Sequence, residues 1–235
     1  MDYASFEIYF SSARAQRYLT AAGNDGQRAV ALYQHNLRLS QAFHPLLGVI
    51  EVVIRNLISA KLELYFSDKD WIINQKTGFM SDPSLAHTNK KTGKRETSNY
   101  LKNEVKKAES RLTKAGAAVT SGRVIAEQTF GFWTDLFEVH HYRLLGGRPI
   151  QIFAALPSGY GRKEILQELH GIRRFRNRIN HNEPICFHQS QIDFSASKQV
   201  HRSINNIFTW IDPKTLQFAN ELDTVGQIIS AGKLL

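Results

Sequence analysis

Cysteine is almost absent from this chain, which has one, Cys186, among 235 residues. A lone thiol cannot form an internal disulfide, so a disulfide-stapled secreted fold is excluded and a cytoplasmic location is expected. No Cys and His residues stand at the spacing of a structural zinc site. Adjacent histidines such as His140 and His141 point to different faces of a helix, and no acidic partner stands at ligand spacing. We therefore predict neither a metal nor another cofactor.

Long apolar runs are missing as well. A membrane-spanning helix needs about 20 consecutive, mostly apolar residues. The richest segment, PLLGVIEVVIRNLI, is interrupted by Glu51, Arg55 and Asn56. The first ten residues show no basic segment followed by an apolar run. Neither a signal peptide nor a contact with membranes is expected.

Acidic residues are the minority among the charged ones. The chain has 30 lysines and arginines against 21 aspartates and glutamates, a formal net charge of +9. Such an excess favours a polyanionic partner, of which nucleic acid is the usual example. Part of it lies in a basic tract over residues 90–114, which is either a solvated helix face or a track for the RNA backbone. We favour the second, with contacts from Lys102, Lys106 and Lys107.

Convincing strand patterns and internal repeats are also lacking, whereas apolar residues recur at helical spacing along most of the chain. Helices are predicted over residues 5–21, 25–43, 46–66, 99–114, 121–141, 161–181 and 195–212, with a short last one from Pro213. The second and third are also compatible with one long, kinked helix around Pro45. The polar segment 74–98 is predicted to be a surface loop. One all-α domain over residues 1–235, a helical bundle with this loop as its main insertion, is the simplest interpretation.

The segment RFRNRINHNEP, residues 174–184, ends the helix predicted over 161–181. Arg176 falls on the helical stripe of the apolar residues, so it is predicted to face the core, where a guanidinium needs an acceptor. Asn177 and His181 are four residues apart and share a face. Pro184 disfavours helical geometry at the residue before it. The apolar stripe to which the position of Arg176 is compared consists of Ile165, Leu169, Ile172 and Ile179.

Cleavage of RNA through its 2′-hydroxyl needs the kinds of side chain that meet here. A base must take the 2′-hydroxyl proton, an acid must protonate the leaving 5′-oxygen, and a cation must stabilise the charge on the phosphorane. His181 can serve as acid or base, Arg176 as the cation, and Asn177 as an orienting hydrogen-bond partner. One histidine cannot fill both proton roles at once, and a second copy of the chain could supply the other. Arg173, Arg174 and Arg178 are predicted to be solvated or to contact the RNA backbone.

The segment RNRINH, residues 176–181, fits the R-x(4–6)-H signature of HEPN domains, in which a polar residue such as Asn177 follows the arginine. The segments FSSARAQRYL, ALYQHNLRLSQAF, LLGVIEVVIRNLISAKL and IAEQTFGFWTDLF resemble the Abi-like abortive-infection family, a branch of the HEPN proteins. The resemblance implies a HEPN-like bundle and a homodimer whose motifs face a shared cleft. It also implies a metal-independent endoribonuclease in phage defence or toxin–antitoxin control, with an antitoxin or defence protein as a further partner.

Three residues of the most apolar helix are candidate supports for the motif. The resemblance places the pattern E-x3-RN, formed by Glu51, Arg55 and Asn56, beside the motif, where Glu51 would anchor Arg176 or His181. The alternative is an ordinary ion pair between Glu51 and Arg55, which stand four residues apart.

Two alternatives to catalysis stay open. One is a binding module for RNA or nucleotides, in which the arginine and histidine grip a phosphate. The other is a protein-interaction subunit, in which Arg176 pairs with Glu51 for structural reasons only. The aromatic run FGFWTDLF is predicted to pack in a core or an interface rather than on bases, and Cys186 is predicted to be a small packing residue.

Overall fold

The structure is a computed structural model that describes residues 1–88 and 91–232, so Lys90 of the basic tract lies outside the described residues. It is 69% helical, which confirms the all-α class. Twelve α-helices occur in the described part of the chain: α1 (Tyr3–Phe10), α2 (Ser12–Ala21), α3 (Gly26–Phe66), α4 (Trp71–Asn74), α5 (Tyr100–Lys114), α6 (Ser121–Ala126), α7 (Phe130–Asp135), α8 (Val139–Leu144), α9 (Arg162–Asn180), α10 (Ser195–Ile211), α11 (Pro213–Asn220) and α12 (Val225–Gly232).

Two small antiparallel strand pairs accompany the helices in the part of the chain that the structure describes. Strand β1 (Ala86–Thr88) pairs with β2 (Arg95–Thr97), and β3 (Phe187–His188) pairs with β4 (Gln191–Ile192). Strands of two or three residues are too short to show an alternating pattern, which is why the sequence did not reveal them. Short 3-10 helices lie at Phe79–Ser81, Pro83–Leu85 and Arg148–Ile152. The segment expected to be a plain surface loop therefore contains two of these turns and the first hairpin.

Two helices differ from their predicted extents. The helix expected over residues 5–21 is broken at Ser11, whose φ of 71° is incompatible with a helix. The helix expected over residues 121–141 is three short helices, α6 to α8. A single straight helix buries one stripe of side chains, whereas consecutive residues of this segment are buried. The breaks between the three short helices allow these residues to face the core. These buried residues are Phe130, Phe132, Trp133, Leu136 and Phe137.

Helix α3 is continuous through Pro45, so the alternative of one long helix is the correct one. The predicted cap at Asp25 is also present, because its carboxylate accepts a hydrogen bond of 3.0 Å from the Arg28 amide. The burial of Phe130, Trp133 and Phe137 confirms that the aromatic run is a packing element.

The chain divides into two compact units. Unit 1 comprises the described residues of Met1–Ile50 and Gly171–Leu235, and unit 2 comprises Glu51–His170. Helices α3 and α9 each contribute residues to both units. A division by contacts does not show whether the two units fold and act together. The single domain over residues 1–235 therefore stays a prediction.

An aromatic core fills unit 1. The Phe43 ring from α3 packs edge-on against Phe175 of α9, with 4.7 Å between ring centroids. Tyr18 of α2 packs in the same manner against Phe187 of β3 at 5.1 Å. All four rings are buried. These contacts fix the C-terminal turns of α9, which carry the RNRINH motif, against α2, α3 and the second hairpin.

Candidate functional site

The motif lies where α9 ends. The apolar stripe of this helix, Ile165, Leu169, Ile172, Phe175 and Ile179, is buried throughout. After Asn180 the chain turns through Asn182, which has a left-handed φ of 52°. Its amide donates to the Ile179 carbonyl at 2.9 Å, and the Glu183 amide donates to the Arg178 carbonyl at 2.8 Å. This pair of bonds is the Schellman motif, which satisfies carbonyls that a helix end would otherwise leave unpaired.

The chain that leaves the motif is held by three side chains of unit 1. Arg14 of α2 donates to the Asn182 carbonyl at 2.8 Å. The buried Asn36 of α3 accepts a 2.7 Å bond from the Ile185 amide, and Ser197 of α10 donates to the Ile185 carbonyl at 2.6 Å. The sequence predicted no supporting role for Asn36, although a polar residue on an apolar helical stripe is a usable signal.

The three proposed catalytic residues differ in exposure. Asn177 and His181 are exposed and one helical turn apart, and the His181 amide donates to the Asn177 carbonyl at 3.0 Å. Arg176, which the helical period places among the apolar positions of α9, is half-buried. A long arginine can pack its aliphatic stem on apolar neighbours while its guanidinium reaches the surface. The arrangement presents an imidazole and an amide to solvent beside a partly shielded cation.

The other arginines of this segment have separate environments. Arg174 is exposed and Arg173 is half-buried, which suits the predicted surface roles. Arg178 takes part in the helix end instead, because its guanidinium lies 3.5 Å from the Glu183 carboxylate and donates to the Pro184 carbonyl. Arg178 is therefore a poorer contact for the RNA backbone than predicted.

The predicted supporting residues belong to unit 2. Glu51 and Arg55 are half-buried and Asn56 is exposed. The Arg55 Nε donates to the Asn56 Oδ1 at 3.3 Å, and both side chains line a cleft of about 300 Å³ that also contains Glu63. The Glu51–Arg55 pair and the anchoring of Arg176 or His181 by Glu51 both stay predictions.

The basic tract is partly neutralised within the fold. Lys102 is half-buried and donates to the Ser81 hydroxyl at 2.8 Å. Lys107 is exposed but forms an ion pair of 2.6 Å with Glu104. Lys106 is exposed and has no ion pair among residues 1–88 and 91–232. Of the three lysines predicted to contact RNA, Lys106 is the one whose charge remains fully available.

The histidines and acidic residues that the structure describes do not gather into a cluster typical of a metal site. In the described part of the chain, no group of three His, Cys, Asp or Glu side chains is arranged to hold a metal ion. His141 is buried, and its Nδ1 lies 3.1 Å from the Asp135 carbonyl oxygen. None of the helices within residues 1–88 and 91–232 is both long and apolar enough to cross a membrane.

The single cysteine is a packing residue, as predicted. Cys186 is buried, and its Sγ lies 3.9 Å from the Leu32 carbonyl oxygen. Burial raises the pKa of this thiol to about 12, since desolvation penalises the thiolate. Burial therefore argues against a nucleophilic role for Cys186 near neutral pH.

We expect the Cys186 thiol to be inert in the folded protein. Reactivity follows the thiolate fraction, which becomes appreciable in the native state only as the pH approaches 12, whereas an unfolded thiol ionises near pH 8.5. A disulfide reagent at pH 8 should label the protein in denaturant and leave the native protein unlabelled. Rapid labelling without denaturant would contradict the burial of this residue.

The left-handed residue at the end of α9 gives a second prediction. Asn182→Val should lower the free energy of unfolding by about 1–2 kcal/mol, because a β-branched side chain tolerates this conformation poorly. Asn182→Gly should leave the stability unchanged or slightly higher. Urea titration of both variants checks this, and equal stability of the two would show that the turn relaxes freely.

A family comparison covers both the motif and the helices before it. The model of the family described as "Abi-like protein" matches residues 2–186. The chain belongs to the Abi-like family. The match includes every helix from α1 to α9 and ends at the buried Cys186. Membership indicates a role in abortive-infection defence. No curated protein and no solved structure gives a significant match.

Proposed function

We propose that this Abi-like protein is an endoribonuclease of the HEPN type, which cleaves RNA by attack of the 2′-hydroxyl on the adjacent phosphate. The observation that carries the proposal is the placement of Asn177 and His181, one turn apart and both exposed, on a helix end braced by the fold, with Arg176 half-buried beside them. Exposed polar side chains on a rigid scaffold are the usual setting of a catalytic site.

Each residue has a chemical role in this proposal. The neutral His181 imidazole accepts the 2′-hydroxyl proton, or the protonated imidazole donates to the leaving 5′-oxygen. The Arg176 guanidinium stabilises the negative charge that develops on the non-bridging oxygens, and Asn177 orients the phosphate by a hydrogen bond. The P–O5′ bond breaks as the P–O2′ bond forms, which leaves a 2′,3′-cyclic phosphate and a 5′-hydroxyl. No step of this proposal uses a metal ion.

We also propose that the active species is a homodimer. The His181 ring has no hydrogen-bond partner among the described residues of one chain, and a single imidazole cannot serve as both base and acid in one step. A second copy of the motif facing the first would supply the missing group. Light scattering coupled to size-exclusion chromatography measures the mass directly, and a strictly monomeric, active enzyme would overturn this part of the proposal.

The chemistry can be tested with matched substrates. An RNA oligonucleotide that the protein cuts should resist cutting when the 2′-hydroxyl at the cleavage site is replaced by hydrogen. Mass spectrometry of the products should find cyclic phosphate and 5′-hydroxyl ends. Cleavage of the deoxy-substituted substrate, or products with 5′-phosphate ends, would rule out attack by the 2′-hydroxyl.

The same observation about His181 keeps one other function in view. A ring without an orienting partner also suits a module that binds RNA or nucleotides through a phosphate grip and does not cut them. Retained RNA binding with no products across pH 5–9 would favour this alternative.

A further inference from the structure

A second cleft of unit 2 combines cations with an aromatic ring. Its volume is about 430 Å³, within the range of sites that bind small ligands. The lining comes from the C-terminal part of α3 and from the 3-10 helix that follows α8. No carboxylate is among the lining residues, which are Lys61, Leu64, Tyr65, Arg148 and Gln151. The cleft therefore favours a ligand that is both anionic and partly flat or apolar.

The nearest carboxylate in the sequence, that of Glu63, lies on a different face of α3 from the residues that line this cleft. Lys61, Leu64 and Tyr65 stand at positions i, i+3 and i+4, so they share one face of α3. Glu63 points to the other side of the helix and lines the Arg55 cleft instead. The positive charge of Lys61 and Arg148 is consequently not offset by a carboxylate of the same helix face.

The aromatic ring and one cation are already arranged for a ligand. The Arg148 guanidinium carbon lies 5.1 Å from the centroid of the half-exposed Tyr65 ring. The Arg148 Nε is buried and has no hydrogen-bond partner within the described chain, a costly state for a charged donor.

Two glycines before Arg148 allow this close approach. Gly146 and Gly147 have φ values of 56° and 72°, which glycine adopts without strain. A Cβ at Gly146 would lie 3.3 Å from the Tyr65 hydroxyl oxygen. The turn LLGGRP is thus more than a connection, since it places the Arg148 side chain on the Tyr65 ring.

We propose that this Lys61/Tyr65/Arg148 cleft binds one nucleotide of a single-stranded RNA. The phosphate would lie between Lys61 and Arg148, and the base would pack on Tyr65 and the exposed Leu64. Guanidinium groups pair with phosphate oxygens, and aromatic side chains stack on bases of any sequence, so the site favours RNA without reading its sequence. The inference rests on the proposed function, which makes RNA the substrate, but the cleft contains no residue of the RNRINH motif.

Fluorescence anisotropy with a labelled ten-nucleotide RNA measures the binding. All proteins carry His181→Ala, so that no substrate is consumed. Lys61→Gln, Arg148→Met and Tyr65→Leu should each raise the Kd about five- to tenfold. Each lost phosphate contact should also reduce the slope of log Kd against log salt concentration by about 0.7. Arg148→Met keeps an aliphatic stem over Tyr65, and Tyr65→Phe keeps the ring and should bind as tightly as the parent.

Lys69→Gln is the matched control, because it removes one exposed positive charge from the same unit outside the cleft. An unchanged Kd for both Lys61→Gln and Arg148→Met, with unchanged melting temperatures, would overturn the proposal. The proposal would also be overturned if Lys61→Gln weakened the binding of a labelled poly-glutamate peptide and left RNA binding unchanged. That result would assign the cleft to an acidic protein. Cleavage is measured separately with the parent protein, in which His181 is intact. If the parent cleaves RNA but the cleft variants leave the Kd unchanged, this inference alone is defeated. If the cleft variants raise the Kd but the parent cleaves no RNA, the proposed enzyme alone is defeated.

Discussion

His181→Ala is expected to reduce the rate of RNA cleavage by about 10²–10⁴-fold, the range that a positioned acid or base contributes. The imidazole is exposed at the end of α9, and the hydrogen bond from residue 181 to the Asn177 carbonyl uses the backbone amide. Alanine keeps that bond, so the melting temperature should stay within a degree or two of the parent value. Initial rates on a labelled RNA, measured beside the melting curves, separate chemistry from folding.

His188 provides the matched control for this substitution. It is exposed on the β3–β4 hairpin, seven residues after His181. His188→Ala removes an equally exposed imidazole and should leave the cleavage rate unchanged. If His188→Ala lost most of the cleavage rate and His181→Ala kept it, the proton-transfer role would belong to His188 and not to His181.

Arg176→Ala is expected to reduce the cleavage rate by about 10²–10³-fold, as the loss of one charge-stabilising group does in other enzymes. Arg176 is half-buried and directly precedes Asn177 in the motif. Arg176→Lys should restore only part of the rate, because an ammonium keeps the charge but lacks the planar fork of donors. Arg174→Ala removes an exposed arginine two residues earlier, a candidate contact of the RNA backbone, and as the control it should retain the cleavage rate at saturating RNA.

The structural alternative for Arg176 makes a different prediction. If this arginine serves only to pair with a carboxylate, Arg176→Ala leaves that charge uncompensated and destabilises the fold by about 3–5 kcal/mol. In a chain of this size, each kcal/mol lowers the melting temperature by about 2–4 °C. A Tm that falls by about 6 °C or more, together with cleavage proportional to the folded fraction, would remove Arg176 from the chemistry.

The helical class and the long helices were predictable because their apolar periodicity is strong. The end of α9 was predictable from Pro184, and Asp25 marked the start of α3. The division of segment 121–141 into three short helices was not predictable. Its aromatic residues also fit one helical stripe, and no local residue pattern marks the breaks, which depend on tertiary packing. The break at Ser11 is similar, since a left-handed serine leaves no mark in a single sequence.

The candidate site was predictable in its residue types and less so in its surroundings. Spacing placed Asn177 and His181 on one face, and both are exposed there. The helical period assigned Arg176 to the core-facing positions, and the residue is half-buried, because a long arginine at such a position can still reach solvent. The pairing of Arg178 with Glu183 depends on the turn after the helix, and the Tyr65–Arg148 contact joins residues far apart in sequence. Neither follows from helical periodicity.

The central claim is that Arg176 and His181 perform RNA cleavage without a metal ion. Incubation of total RNA with the parent protein, His181→Ala and Arg176→Ala, each in excess EDTA, tests it most directly. The account predicts that the parent protein fragments the RNA in EDTA and that both variants leave it intact over the same time. Equal fragmentation by all three proteins, or fragmentation by the parent that EDTA abolishes, would contradict it.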